Sequence, residues 1–444
     1  MKKKILVFLI LCSAAVLQAD DGTAHQNFGD FTLWGIDFDM GGEIRTRSAY
    51  LNNYDMDYET ADGSIAWDAR GRLGLKVTWD SPFYVNSLLE WGNVEFTQED
   101  LSFGDVLDLE MKELYLGFQE NSFKMKAGII DINTPGNYVY DSDEWGLQGK
   151  YDFDFLKLKT FYSAANLTEG NNESTQPLEY MDHLFYLGVN QDTLLDLDLW
   201  SMFYHGDTEE LTYNSCWLGF ETAGQINDFS IEAVYTYNFG KVVTYALPLS
   251  AHFTRIKLKL EPNKRNTIFT RFNMTSGSDG SLDTLGQFQT LDGEGNLDTG
   301  LGLLFGGSPY SSQAYFDDES LSIVSNNLSD GVISYNDPGL LIYELGYRYE
   351  FKHIMPLDLE TEFILGAANT GDLFRGDGYF YSLIGLVADI HNSLQLSDGL
   401  EFDLSLSYLL AGNAFNAVYE LNTGETLSLE DSSMKIDCQL KYSF

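Results

Sequence analysis

The chain of 444 residues contains only three cysteines and eight prolines. So few cysteines cannot build the disulfide framework that stabilises small secreted domains. Basic residues are also scarce, since 26 lysines and arginines face 67 aspartates and glutamates and leave a net charge of -41. Such a charge repels the phosphates of nucleic acids, which argues against a nucleic-acid partner.

Long apolar runs are missing as well. No run of 18 apolar residues follows the first twenty positions, so the sequence predicts no membrane-spanning helix. The first residues combine three lysines, an apolar stretch and a small residue at Ala19, which is typical of a secretory signal peptide. We therefore expect a signal peptide at 1–19 and a single mature domain at 20–444. A lipoprotein signal at Cys12 is the alternative, which the bulky residue before it disfavours.

Aromatic rings are abundant, with 27 tyrosines, 30 phenylalanines and 7 tryptophans. A composition this rich in rings does not indicate disorder, despite the acidic charge. An exported chain that is acidic, aromatic and without a spanning helix fits either a secreted β-protein or an outer-membrane β-barrel. The periodicity of the side chains distinguishes the two.

The last twelve residues, 433–444, alternate strictly between apolar and polar side chains and end on Phe444. This resembles the closing strand of outer-membrane barrels, whose terminal phenylalanine is read by the barrel-assembly machinery. The segment 67–79 also alternates, with Trp67 and Trp79 at the two ends of its apolar face. Its other face is charged, which is costly in a packed core but suits a water-filled lumen.

Eighteen such segments can be placed along the chain, and the connections between them alternate between short and long. Short periplasmic turns and longer outer loops are typical of membrane barrels. We predict an all-β fold, a transmembrane antiparallel up-and-down β-barrel of eighteen strands, with sixteen as the alternative. The predicted strands are 31–51, 64–79, 83–97, 107–119, 122–131, 144–153, 156–165, 181–191, 194–204, 211–221, 227–238, 249–260, 266–276, 340–351, 356–368, 378–391, 398–411 and 433–444.

Charged residues inside these strands recur mostly at i, i+2 spacing, which places each set on one face of its strand. In a barrel the polar face looks inward, so the pattern predicts basic and acidic ladders along the pore wall. The basic residues are Arg45, Arg47, Arg70, Arg72, Lys76, Lys124, Lys126, Lys157, Lys159, Arg255, Lys257, Lys259 and Arg271. The acidic residues are Asp196, Asp198, Asp358, Glu360, Glu362, Glu401 and Asp403. The ladders either select solutes by charge or only solvate the lumen and pair across strands.

The segment 277–339 contains no lysine or arginine and is too long for an ordinary loop. In a barrel it would fold inward as a constriction or lid. Within it, four residues space oxygen ligands much as a calcium loop does, so Ca²⁺ is the one cofactor considered. They are Asp292, Glu294, Asn296 and Asp298. The alternative is a flexible acidic loop without metal.

No Gly-x-Ser-x-Gly and no His-Glu-x-x-His motif occurs, so we predict that the protein is not an enzyme. Barrel enzymes with Ser–His or Asp–His pairs exist in outer membranes. His205, at an expected outer rim, is the histidine considered for such a role. The alternative is that His205 belongs to the aromatic belt or to a loop and has no catalytic role.

Several short motifs between Trp67 and Ala165 are shared with a known family. They are Arg70-Gly71-Arg72-Leu73-Gly74-Leu75 with Asp80 after it, Leu109 to Leu116, Lys124 to Gly128, and Trp145 leading into Leu158 to Tyr162. These pieces resemble the alginate-export family of outer-membrane barrels. The resemblance implies an eighteen-stranded barrel with a basic lumen that passes a polyanionic polysaccharide. Ile129-Ile130 stand where the family would have an Arg-Gln pair.

Taken together, the sequence predicts a porin-like passive channel in the bacterial outer membrane, surrounded by its lipid. The expected solutes are polar, with anionic compounds and saccharides among them. The alternative is a structural or adhesin-type barrel whose acidic loops bind partners or divalent cations.

Overall fold

The computed structural model shows an all-β chain. It describes residues 31–33, 35–52, 63–92, 109–137, 139–153, 155–165, 182–192, 195–207, 212–243, 246–277, 339–354, 357–370, 383–412 and 432–444. In this part of the chain, one 3₁₀ turn at Pro135–Asn137 accompanies the strands. The same part contains no helix long and apolar enough to cross a membrane.

The strands are numbered in chain order. They are β1 Phe31–Leu33, β2 Ile36–Asn52, β3 Gly63–Thr78, β4 Phe83–Gly92, β5 Leu109–Glu120, β6 Phe123–Asn133, β7 Asp141–Asp152, β8 Lys157–Ala165, β9 Asp182–Asp192, β10 Leu195–Asp207, β11 Thr212–Ile226, β12 Phe229–Val242, β13 Leu247–Asn263, β14 Asn266–Thr275, β15 Leu340–Ile354, β16 Leu357–Thr370, β17 Leu383–Ser397, β18 Leu400–Ala411 and β19 Ser432–Ser443.

Each strand from β2 to β18 pairs antiparallel with the next strand along the chain. β19 then pairs with β2, from Met434 opposite Asn52 to Ser443 opposite Glu43, and closes the sheet. A closed sheet has no unpaired edge. The predicted antiparallel up-and-down barrel of eighteen strands is confirmed.

The start of the predicted first strand, 31–51, is wrong. Gly35 has a φ of 78°, a conformation that glycine adopts at little cost, and the chain reverses there. β1 folds back on β2, so that Phe31 lies opposite Phe38 and their rings stack with centroids 4.8 Å apart. The barrel wall therefore begins at β2.

Some predicted boundaries also differ from the structure. The segments predicted at 211–221 and 378–391 stop short of the observed ends of β11 and β17. Both strands continue because their backbones remain paired with β12 and β18 where the apolar pattern weakens. Backbone pairing depends on the neighbouring strand, which a local side-chain pattern does not reveal.

Side chains alternate between the two surfaces of the wall. On β15 and β16, Leu345 and Leu365 are 58% and 61% exposed, whereas their neighbours Glu344 and Ile364 are 2% and 1% exposed. The same contrast recurs around the barrel, with large apolar side chains outward and most charged ones inward. An apolar outer surface of this kind faces hydrocarbon, which makes the fold a transmembrane barrel.

The connections differ at the two ends of the barrel. Short turns at one end use residues with positive φ, such as Asn121 at 51° and Asn227 at 54°. At the other end, β14 and β15 stay paired as far as Thr275 opposite Leu340. Gly339 is so close to Gly277 that a side chain on it would lie 2.6 Å from the Gly277 backbone nitrogen.

Four aromatic rings lie against glycines on the neighbouring strand. Each ring and its glycine are directly opposite in register, and a Cβ on the glycine would lie within about 2 Å of the ring. The pairs are Tyr84 and Gly117, Trp91 and Gly71, Trp200 and Gly219, and Phe269 and Gly346. The absence of a side chain thus lets a large ring lie flat on the backbone and cover it.

We predict that Gly219→Ala destabilises the barrel by about 1–3 kcal/mol, the usual cost of overpacking. The new Cβ would lie 1.8 Å from Cε2 of Trp200, so the indole ring must move. Gly74→Ala is the control, because its nearest neighbour would lie at 3.6 Å. Urea unfolding of the refolded variants in lipid checks this, and equal midpoints for the two variants would contradict it.

Candidate functional site on the luminal wall

Glutamates form ion pairs with two basic residues of β3. Arg70 Nη2 lies 2.7 Å from Glu43 Oε1, and Arg72 Nε lies 2.5 Å from Glu90 Oε2. Arg45 lies directly opposite Arg70 in register and is 8% exposed. Carboxylates from β2 and β4 therefore lie among the cations of the predicted ladder, and its role in lining a pore stays a prediction.

The remaining predicted residues of this sector face inward too. Lys76 on β3 lies over the ring of Tyr84, with its Nζ 5.0 Å from the ring centroid. Arg47 on β2 is half-buried. Glu43, besides its bond to Arg70, lies 3.4 Å from Nζ of Lys441 on β19. The contacts therefore continue across the seam where the barrel closes.

On β13, the basic residues of the lumen also have acidic neighbours. Lys257 Nζ lies 3.5 Å from Glu232 Oε2 on β12, and Lys259 forms an ion pair with Glu261. Arg255 is only 4% exposed. It lines a recess whose other charged groups are acidic.

That recess lies on the luminal face of β10 to β13. Its acidic residues include the predicted Asp196 and Asp198, together with Glu221 and Glu232. Asn190 donates a hydrogen bond to Asp196 over 2.7 Å. The fold therefore brings two predicted acids together with two that the sequence patterns did not single out.

The predicted acids of β16 surround an arginine. Arg348 Nε on β15 lies 2.7 Å from Glu362 Oε2 and 3.2 Å from Glu360 Oε1. Asp358 lies at the exposed start of the strand. The acidic wall therefore contains a cation, as the basic wall contains carboxylates.

On β18, neutral partners satisfy the predicted acids. Ser393 donates a hydrogen bond to Glu401 over 3.0 Å, and Gln439 donates one to Asp403 over 3.0 Å. Such partners leave the negative charge in place, unlike the arginine beside β16, although Lys441 on β19 lies directly opposite Glu401 in register. The lumen thus contains both neutralised and net-charged sectors.

A basic sector lies on β6 to β8. Lys124, Lys150 and Lys159 are directly opposite one another on three adjacent strands, and we call them the lysine row. Like charges in this position repel each other. Lys159 Nζ donates to the backbone and side-chain oxygens of Asn133, both at 2.9 Å. Within the described ranges, Lys124 and Lys150 have no ion pair.

Lys126 and Lys157 flank the row on β6 and β8. Lys126 Nζ lies 4.5 Å above the ring centroid of Tyr115, a cation–π contact, and Lys157 is exposed. The row also adjoins aromatic rings, since Lys159 Nζ lies 5.6 Å from the ring centroid of Tyr186. Five lysines thus form a basic surface over three strands, and Asp152 of β7 lies directly opposite one of them, Lys157.

Sequence reasoning missed Lys150, the centre of this row. The signal was present, because Lys150 continues the inward alternation of Gln148, which is 4% exposed, while Leu147 and Tyr151 face outward at 47% and 40%. Lys150 has no basic residue two positions away on its own strand, and the predicted ladders are defined mostly by that spacing. Cross-strand register, and not spacing along one strand, assembles the row.

Several predictions fall outside the described residues. These are the signal peptide, nearly all of the segment 277–339, and the candidate calcium ligands within that segment, Asp292, Glu294, Asn296 and Asp298. In the ranges that the structure describes, no group of three His, Cys, Asp or Glu residues could hold a metal ion. Calcium binding stays a prediction.

His205 lies on the outward face of β10. Its Nδ1 is 2.8 Å from Oδ1 of Asn214, on the neighbouring strand. At the carboxyl terminus, the Phe444 amide donates to the Gly42 carbonyl over 3.0 Å, and the Gly42 amide donates back over 2.8 Å. The terminal residue is therefore held at the closing seam, and its recognition by the assembly machinery stays a prediction.

Comparison with solved structures finds similar barrels in Pseudomonas aeruginosa. The outer membrane protein OprD has a TM-score of 0.50 and 11% identity, with 96% of each chain covered. OccK8 (OprE) has a TM-score of 0.53 and 11% identity, with 92% of this chain and 98% of that chain covered. OccD3 (OpdP) has a TM-score of 0.51 and 12% identity, with 97% of each covered.

At such low identity these likenesses show the fold alone. No protein-family model matches the sequence, and the comparison with curated proteins finds no relative. The neighbours support a barrel of this general type but not the alginate-export family specifically, so that resemblance stays a prediction.

A buried ion pair gives a testable stability prediction. Arg271 Nε on β14 lies 2.8 Å from Glu344 Oε2 on β15, with the side chains 7% and 0% exposed. We expect Glu344→Gln to cost about 3–5 kcal/mol, because it leaves a buried cation uncompensated. The double variant R271M/E344M is expected to recover much of this loss in urea unfolding.

Lys259→Met is the control, since its pair with Glu261 is partly exposed and worth about 0–1 kcal/mol. If the Glu344 variant unfolded at the wild-type midpoint, the pair would not stabilise the wall.

Proposed function

We propose that the protein is a passive, porin-like channel of the bacterial outer membrane for polar solutes, including anionic ones. The apolar outer belt and the charged lumen support this, as does the likeness to barrels that include an outer membrane protein. A passive channel catalyses no reaction, so we do not propose an enzymatic activity.

The observation that carries the proposal is the lysine row. Three like charges opposite one another cost free energy in a folded wall unless something compensates them. Most of the other described basic residues of the lumen have acidic partners. Excess positive charge at Lys124, Lys150 and Lys159 offers a transient site for an anionic group that passes through the pore.

The acidic sectors narrow the choice of solute. A long polyanion such as a polyuronate would meet the recess of β10 to β13 and the carboxylates of β18 as well as the lysine row. Repulsion there disfavours an extended polyanion more than a small solute with one charge. We therefore favour small polar or singly charged solutes over alginate.

A structural or adhesin-type barrel remains the second candidate, in which acidic loops bind partners or divalent cations. The net charge of -41 and the acidic segment 277–339 are the features that favour it. Single-channel recording in planar bilayers separates the two, since an adhesin with a blocked lumen would show no conductance steps.

We predict that K124Q/K150Q/K159Q lowers the permeability ratio of chloride to potassium about two- to threefold, because it removes the excess positive charge of the lumen. Reversal potentials in a salt gradient measure this ratio. The matched variant E401Q/D403N, on the opposite sector, is expected to shift the potential the other way.

Two outcomes would count against the proposal. An unchanged reversal potential in the lysine variant would show that the row does not face the permeation path. Clear cation selectivity of the wild type would contradict a basic selectivity element. A chain in which residues 278–338 are deleted and Gly277 joins Gly339 tests the predicted constriction. If the segment narrows the pore, the shortened chain has a higher single-channel conductance than the full-length chain.

A further inference from the structure

A row of polar side chains crosses the outward face of four adjacent strands. His183 of β9 lies opposite His205 of β10, which lies opposite Asn214 of β11, and Asn214 lies opposite Lys241 of β12. We call these four residues the outward polar row. It lies near the end of the barrel that carries the longer connections, away from the short turns and Phe444.

The row faces the membrane and not the lumen. Phe185 and Phe203, two residues from the histidines on the same strands, are 50% and 42% exposed. The side chains of the opposite parity, Leu184 and Tyr204, are fully buried on the inner side. The polar row therefore interrupts a surface that is otherwise largely apolar on these strands.

An aromatic row fixes the depth of these polar groups. The next outward row toward the middle of the strands contains Tyr162, Phe185, Phe203 and Phe239, with Cys216 of β11 between the last two. Aromatic belts lie at the boundary between hydrocarbon and headgroups. Two residues along a strand span roughly 7 Å, so the outward polar row lies on the headgroup side of that boundary.

The side chains of the row are linked to one another. Tyr162 Oη lies 3.0 Å from His183 Nδ1, and the rings of His183 and His205 are nearly parallel with centroids 6.4 Å apart. His205 Nδ1 in turn contacts Asn214 over 2.8 Å. These contacts orient the imidazoles, whose Nε2 atoms are not used in them.

Lys241 adds a positive charge at the end of the row. It is exposed, and in the described ranges it has no ion pair with a carboxylate. On a chain with a net charge of -41, an exposed cation at headgroup depth is an isolated point of attraction for an anion. An ammonium group, an amide and two imidazoles together suit a phosphate, which accepts several hydrogen bonds.

We propose that the outward polar row binds a phosphate of a glycolipid in the outer leaflet, with lipid A as the ligand class. The site would hold the sector from β9 to β12 against the leaflet, with the acyl chains lying over the aromatic row. The inference rests on the outer-membrane location included in the proposed function, but not on channel activity.

The test uses the mature protein refolded in detergent and titrated with lipid A, with bound lipid counted by native mass spectrometry. We expect the variant H183Q/H205Q/K241Q to bind lipid A about tenfold more weakly than the wild type. The control K264Q/R265Q removes two exposed charges at the β13–β14 turn, at the opposite end, and is expected to bind within about twofold of the wild type. Lys241→Gln alone, expected to lose about threefold, serves if the triple variant does not fold.

Dephosphorylated lipid A is expected to bind the wild type as weakly as phosphorylated lipid A binds the triple variant. Equal binding of the two lipids, or wild-type binding by the triple variant, would overturn the proposal. Competition by inorganic phosphate at the same concentration would overturn the assignment to a lipid. Conductance in bilayers without lipid A distinguishes failure of lipid binding from failure of the channel proposal. There the triple variant is expected to conduct as the wild type does, because the row lies outside the lumen.

Discussion

The structure depends on the pairing of β19 with β2. In hydrocarbon an unpaired backbone amide or carbonyl has no water to bond, so a sheet can span the membrane only if it closes. The ladder from Met434 to Ser443 completes that closure, and the reciprocal bonds of Phe444 with Gly42 extend it to the last residue. With the backbones of the described strands of the wall paired on both sides, side chains are free to differ on the two surfaces.

The inner surface uses that freedom to combine neutralised and uncompensated charge. Pairs such as Arg70 with Glu43 and Arg271 with Glu344 connect neighbouring strands across the lumen face. The lysine row is the contrasting sector, where electrostatic repulsion within the wall is retained. The outer surface shows the same division on a smaller scale, because the outward polar row interrupts an apolar belt near one rim.

Strict alternation made the strands predictable, because a side-chain period of two is a local property and survives in segments such as 433–444. The reversal at Gly35 was not predictable from that pattern, since apolar residues lie on both sides of it. Lys150 was recoverable from alternation, but its alignment with Lys124 and Lys159 depends on register between strands. The partner of Arg271 lies beyond the long segment 278–338, so only the closed sheet brings Glu344 beside it.

The approach of Gly277 to Gly339 has a consequence for how this chain can vary. Strand pairing in the barrel holds the two ends of the intervening segment together. The entropic cost of closing that loop is therefore offset by the barrel and not by contacts within the segment. The β14–β15 ladder therefore brings the two ends together by its own pairing, as far as Thr275 opposite Leu340. This position is accordingly the natural point at which to insert a foreign domain or to open the chain for circular permutation.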